Sequence, residues 1–239
     1  MEPTRESLNV KLFADGADLV SMIEMASKPY IAGLTTNPTL MKKAGITDYV
    51  KFAKQVLHEI PLKPISFEVF SDELEEMRSQ SEIIASWGEN VYVKVPITNT
   101  RGESTKEVIE YLTTNGVKVN VTALMTTDQV DHILSALNPN VESCVSVFAG
   151  RIADTGRDPL PIMKKSLEIL SVNEKAELIW ASPRELLNVF QADEIGCDII
   201  TATNDILKKL DLIGYELLSY SLDTVKMFYD DAKNLGYRI

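Results

Sequence analysis

The stretch VYVKVPIT, residues 91–98, sets a lysine in the middle of a run that otherwise reads as buried strand. Side chains alternate along a strand, so Val91, Val93 and Val95 share one face while Tyr92, Lys94 and Pro96 share the other. An unpaired ammonium inside a core is costly, so Lys94 must be paired, reach water, or be held neutral. Outward from this run, seven more of the same kind recur: KLFADG (11–16), IAGLTTNP (31–38), ISFEVF (65–70), KVNVTAL (118–124), CVSVFAG (144–150), ELIWAS (177–182) and DIITAT (198–203). Between them lie segments with helical spacing. YVKFAKQVLHEI (49–60) aligns Val50, Ala53, Val56 and Leu57, and TKEVIEYLTTNG (105–116) is stopped by Gly116. Sustained alternation of strand and helix implies parallel strands joined by right-handed crossovers, and eight units in about 250 residues is the count of a TIM (β/α)8 barrel. A doubly wound open sheet is the structural alternative.

With 239 residues, 45% hydrophobic and 25% charged, the chain can bury a full-sized core, and no Pro-, Gly- or Ser-rich linker divides it. Residues 1–239 are therefore expected to form one α/β domain, with 214–237 as a C-terminal helical extension. A short helix near 204–211 precedes that extension, in which Leu218, Leu222, Val225 and Tyr229 form an apolar stripe. The stripe fits either a helix covering part of the barrel or an arm packing on a neighbouring subunit. A formal charge of −11 with no basic block argues against nucleic acid or an anionic membrane as partner. No apolar run approaches a membrane span of ~18 residues, and the start MEPTRESLNV lacks a signal-peptide core, so a cytoplasmic protein is expected. Cys144 and Cys197 sit in apolar runs and read as buried free thiols; without a Cys/His cluster no metal site is expected.

The polar residues of the eight runs are the informative ones. Asp15 ends the first run and Thr36 and Asn37 the second; Glu68 and Lys94 lie in the third and fourth; Asn120 and Thr122 lie in the fifth; Ser146 and Arg151 follow in the sixth, and Ser182 and Arg184 in the seventh. Active sites of TIM barrels lie at this level, the C-terminal ends of the strands. Each residue also has a plain structural reading. Asp15 before Gly16 suits a turn, Asn37 before Pro38 suits a helix cap, Glu68 could face solvent, and Arg151 and Arg184 could pair with Asp154 and Glu185. Lys94 is harder to explain that way, because a lysine in a barrel wall cannot easily snorkel. A desolvated lysine can supply free amine for a Schiff base, and carboxylates at the same level can move the protons that such chemistry requires. Amides orient hydroxyls without adding charge, while arginines and a serine suit a phosphate.

Taken together, LFADGADL, GLTTNPTL, SFEVFSD, VYVKVPIT, VNVTALMT, SVFAGRIADTGRD and ASPRELLNVFQADEIGCDIITATNDIL resemble the transaldolases, in particular the short branch that includes the fructose-6-phosphate aldolases. The resemblance covers roughly residues 11 to 237. It implies that Lys94 is the Schiff-base lysine, that Asp15 takes the proton of the substrate's C4 hydroxyl, and that Glu68 and Thr122 position a catalytic water. Asn37 and Asn120 would hold a dihydroxyacetone unit; Ser146, Arg151, Ser182 and Arg184 would line the phosphate end; Thr36 and Phe148 complete the expected substrate contacts. Glu68 and Phe148 stand where the fructose-6-phosphate aldolases resemble one another in carrying glutamine and tyrosine, which favours transfer over simple cleavage. Gly16 and Pro183 depart from the family pattern, and Pro183 leaves a sulfonated substrate open. The resemblance further implies sugar phosphate substrates, no cofactor, and a homo-oligomer, in the form of a decamer of two pentameric rings. Rival readings are an aldolase releasing free dihydroxyacetone and a non-catalytic barrel that binds sugar phosphates.

Overall fold

The computed structural model describes residues 4–238. Eight strands, β1 (Lys11–Asp15), β2 (Ile31–Thr35), β3 (Ile65–Glu68), β4 (Val91–Pro96), β5 (Val119–Leu124), β6 (Ser143–Val147), β7 (Ala176–Trp180) and β8 (Ile199–Thr203), close in sequence order into a parallel barrel. The crossovers carry α1 (Leu19–Ser27), α2 (Pro38–Lys43), α3 (Tyr49–Glu59), α4 (Leu74–Ala85), α5 (Lys106–Thr114), α6 (Thr127–Leu134), α7 (Ala149–Ala153), α8 (Leu160–Leu170) and α9 (Leu187–Glu194). After β8 follow α10 (Asn204–Leu207), a 3-10 turn at Lys208–Leu212, and α11 (Leu217–Asn234). The open-sheet alternative is excluded by the pairing of β8 with β1.

The alternation in β4 sorts as its sequence demands. Val91, Val93 and Val95 are buried in the main core between barrel and helices, and each such side chain taken out of water contributes about 1.5–3 kcal/mol. Lys94 points the other way, flanked in register by Glu68 of β3 and Asn120 of β5. Asn120 pairs with Cys144, two residues before Ser146. Both cysteines are buried and free.

Two expectations about helices need correction. In α3 the buried stripe runs through Phe52, Ala53 and Val56, while Val50 is exposed, because the helix turns its larger aromatic surface inward. The C-terminal helix does not cover the barrel: none of its residues is buried, and Leu218, Leu222, Val225 and Tyr229 are all exposed. Among the described residues, no helix is long and apolar enough to cross a membrane.

Candidate active site

The C-terminal ends of the strands surround a cavity of about 530 Å³. Every residue expected at the site lines it except Thr36, which is buried in the wall behind it. Larger hollows lie against α3 and at the opposite mouth of the barrel, but the charged groups in the latter are surface pairs such as Lys11 with Glu177 and Lys118 with Glu142. Of these three hollows among the described residues, the C-terminal cavity is the one that sets an amine against a buried carboxylate.

That amine is Lys94. Its Nζ donates to Glu68 Oε1 at 2.7 Å and to the main-chain oxygen of Thr36 at 2.5 Å, and both ionic side chains are about 10% exposed. Glu68 therefore does not face solvent. Its second oxygen, Oε2, accepts from the Thr36 hydroxyl at 3.0 Å. Burial pushes the Glu68 carboxyl above the usual carboxylate range, against the pull of the Lys94 charge and of the hydrogen bonds from Lys94 and Thr36.

Asp15 occupies the adjoining wall. Its Oδ1 accepts from the Thr35 hydroxyl at 2.8 Å and its Oδ2 from the Asn37 amide at 3.0 Å. Thr35 is itself in contact with the Thr201 hydroxyl at 2.6 Å, so β1, β2 and β8 together fix this carboxylate. Burial again raises its pKa, opposed by the charge of Lys94 and by these two donors. Asn37 forms the expected helix cap, its oxygen accepting from Leu40 N at 2.9 Å at the start of α2, while its amide nitrogen donates to Asp15. The expected turn at Asp15 is instead the strand end itself, where Gly16 N bonds Thr35 O.

On the far side, Asn120 is fully buried, its amide donating to Ser66 Oγ at 3.0 Å and its oxygen accepting from Ser146 Oγ at 2.7 Å. This chain stiffens the floor from β3 to β6. Thr122 lies opposite Pro96 on the cavity wall. Thr35, Ser66 and Thr201 escaped the sequence reading; hydroxyls on strands are ordinary, and only their inward phase, two residues from Asn37, Glu68 and Thr203, marks them.

The arginines stand at the rim, both exposed. Arg184 pairs with Asp154 rather than Glu185, through Nε at 2.9 Å and through Nη2, and its Nη1 donates to Ser182 Oγ at 3.1 Å. Arg151 lines the same cavity with no ion pair among the described residues. Ser182 adopts φ +62°, a left-handed conformation uncommon outside glycine, and its carbonyl presses on Gly150. A Cβ on Gly150 would sit 1.5 Å from that oxygen and 3.3 Å from the Arg184 guanidinium carbon, so only glycine lets α7 approach this corner.

Residues 12–239 match the family model described as Transaldolase/Fructose-6-phosphate aldolase. The chain belongs to this family. A "Probable transaldolase" of Sulfurihydrogenibium sp. (strain YO3AOP1) is 33% identical over 202 residues, 84% of this chain and 88% of that protein. Another of the same name from Clostridioides difficile (strain 630) is 31% identical over 224 residues, covering 93% and 98%. Solved structures similar in shape include KGPDC from Streptococcus mutans, with a TM-score of 0.58 at 11% identity over 84% of this chain and 91% of that one. 2,3-Dimethylmalate lyase gives 0.55 at 12% over 98% and 86%. At such identities these likenesses speak to the barrel alone. The chain is thus a transaldolase-type enzyme, and its cavity is where the chemistry of this family has to be sought.

The raised Asp15 carboxyl makes a prediction about the transaldolase-type fold itself. The folded protein holds this proton to higher pH than the unfolded chain, so the contribution is present below the ordinary carboxylate range near 4 and is lost as pH rises through the folded value. Asp15→Asn is therefore expected to gain stability relative to the parent as pH climbs above about 4, read from denaturant midpoints across pH. A constant difference at all pH values would show that Asp15 is not strained by its burial.

Proposed function

We propose that the chain is a class I transaldolase, in which Lys94 forms a Schiff base with the C2 carbonyl of a ketose phosphate such as fructose 6-phosphate. The observation that carries this reading is the Lys94–Glu68 contact in the barrel wall, facing a cavity that also holds Asp15. Lys94 must lose a proton before its lone pair can attack the carbonyl, and Glu68 is the base in contact with it. Attack gives a carbinolamine; loss of water gives an iminium, with Glu68 and Thr122 moving protons through a water. Asp15 then takes the C4 hydroxyl proton, the C3–C4 bond breaks, and its electrons pass into the iminium to leave an enamine. The aldose, glyceraldehyde 3-phosphate, departs.

The enamine next adds to the aldehyde of an acceptor such as erythrose 4-phosphate, with Asp15 returning the proton to the new hydroxyl, and hydrolysis frees Lys94. No metal or organic cofactor enters this scheme, because the iminium is itself the electron sink. Asn37 would orient the dihydroxyacetone unit with the part of its amide not given to Asp15, and Asn120 would do so beside it. Ser146 and Phe148 would line that end. Arg151, Ser182 and Arg184 would grip the phosphate at the rim, where charged donors bind phosphate oxygens in pairs. Phe148 offers no phenol to protonate the enamine, which favours transfer over release of free dihydroxyacetone.

Activity decides between these readings. With fructose 6-phosphate as donor, glyceraldehyde 3-phosphate should form many-fold faster when erythrose 4-phosphate is added, and Lys94→Ala should reduce turnover to background. Equal rates with and without the acceptor would identify an aldolase. Binding without turnover of fructose 6-phosphate or a sulfonated ketose would leave a sugar-phosphate-binding barrel.

We also propose a homo-oligomer in which α11 is an arm on a neighbouring subunit, the decamer being the form that family membership suggests. Support comes from the helix's own surface: a stripe of leucine, valine and tyrosine without cover in the single chain. Light scattering is expected to give a multiple of the 26.6 kDa chain mass, reduced by Leu218→Glu combined with Leu222→Glu. A parent protein that runs as a monomer would remove this proposal.

A further inference from the structure

We propose that Thr36, shut off from the cavity, is the positioning residue of the Lys94–Glu68 pair, and that its hydroxyl follows the charge of Glu68 as the proton passes between them. The inference rests on the Schiff-base reading above, because only that chemistry requires Lys94 to lose and regain a proton.

Thr36 is 0% exposed, so it cannot touch a substrate. It touches both members of the pair instead. Its main-chain oxygen accepts from Lys94 Nζ, and its hydroxyl lies 3.0 Å from Glu68 Oε2. The same hydroxyl lies 2.9 Å from the main-chain oxygen of Ser66. A hydroxyl carries one hydrogen, which cannot serve both acceptors at full strength. The competition is resolved by the backbone: Thr36 N already donates to Ser66 O at 3.2 Å, so that carbonyl is not orphaned when the hydroxyl turns away.

A two-position donor results. While Glu68 is ionised, the hydrogen is held by the carboxylate, since a bond to a charged acceptor is roughly twice as strong as one to a neutral carbonyl. When Glu68 takes the proton from Lys94, that advantage disappears and the hydroxyl can return to Ser66 O. The movement is a rotation about one side-chain bond, with no displacement of the wall. The Thr36 carbonyl meanwhile keeps one Lys94 hydrogen fixed, so the nitrogen does not swing when its bond to Glu68 changes character.

Thr36 has an adjacent counterpart. Thr35, the last residue of β2, donates to Asp15, while Thr36, the residue after it, donates to Glu68. Two neighbouring hydroxyls thus serve the two acid–base carboxylates separately. The titratable groups around Glu68 are Lys94 from β4, Asp15 from β1 and Tyr49 from α3, whose hydroxyl donates to the Glu68 main-chain oxygen.

The test is the rate of borohydride trapping with fructose 6-phosphate, followed by intact mass from pH 5 to 9, for the parent, Thr36→Ser and Thr36→Val. Thr36→Ser keeps the hydroxyl and should stay near the parent. Thr36→Val should trap roughly 10–100-fold more slowly, the worth of one hydrogen bond to a charged group. Its acidic limb should move to higher pH, because ionised Glu68 has lost a donor. A structural defect alone would lower the yield of folded protein without moving that limb. The proposal is overturned if folded Thr36→Val keeps the parental rate and limb, or if Thr36→Ser is equally impaired. Thr36→Ala replaces Thr36→Val should the latter not fold, and failure of both to fold would make the residue's role structural and overturn the proposal as well. A parent enzyme that turns over but gives no trapped adduct would instead overturn the Schiff-base reading, and this inference with it.

Discussion

A lysine ammonium and a glutamate carboxylate, 2.7 Å apart and each about 10% exposed, are the contact around which the C-terminal half of this barrel is arranged. Taking two charges out of water costs several kcal/mol per ion, and only close geometry with additional hydrogen bonds offsets it. The additional bonds come from the residue that follows β2, Thr36, which supplies both a carbonyl and a hydroxyl. Removing one partner of such a pair costs about 3–5 kcal/mol, so the wall is organised to keep both. A buried pair of this kind is a poor way to stabilise a protein compared with hydrophobic packing. Its presence is better explained by what a proton can do between the two groups.

The remaining cavity follows from strand order. Each βα unit brings one or two polar side chains to the same end, and their networks remain local: Asp15 with Thr35, Thr201 and Asn37; Asn120 with Ser66 and Ser146; Arg184 with Asp154 and Ser182. Among the described residues, no side-chain hydrogen bond joins these three networks to one another. The rim is built differently from the floor. Where the floor uses buried hydroxyls and amides, the rim carries exposed arginines, with Arg184 bonded to Ser182 in its left-handed conformation and Gly150 letting α7 and the β7–α9 loop meet.

Much of this was legible in the sequence, for reasons that differ by residue. The strands were visible because β-branched runs recur with punctuation, and Lys94 because a charge in such a run contradicts its surroundings. The cap suggested by Asn37 before Pro38 is formed, its oxygen accepting from Leu40 N. Thr36 was misplaced among the substrate contacts although strand alternation, applied to the pair Thr35 and Thr36, sends one of them away from the cavity. Asp154 was named as a partner for an arginine, but its pairing with Arg184 spans thirty positions and depends on how closely α7 approaches β7. The fate of the C-terminal stripe was not legible at all, since an amphipathic helix has the same sequence whether its partner is the same chain or another.

The central claim is that Lys94, among all the lysines of the chain, is the nucleophile. Fructose 6-phosphate and borohydride should leave a reduced adduct that proteolysis and tandem mass spectrometry can place on one side chain. The account predicts that the modification falls on Lys94 in the VYVKVP strand and that surface lysines such as Lys11 and Lys118 remain unmodified. An adduct on another lysine, with Lys94 intact, would contradict the account.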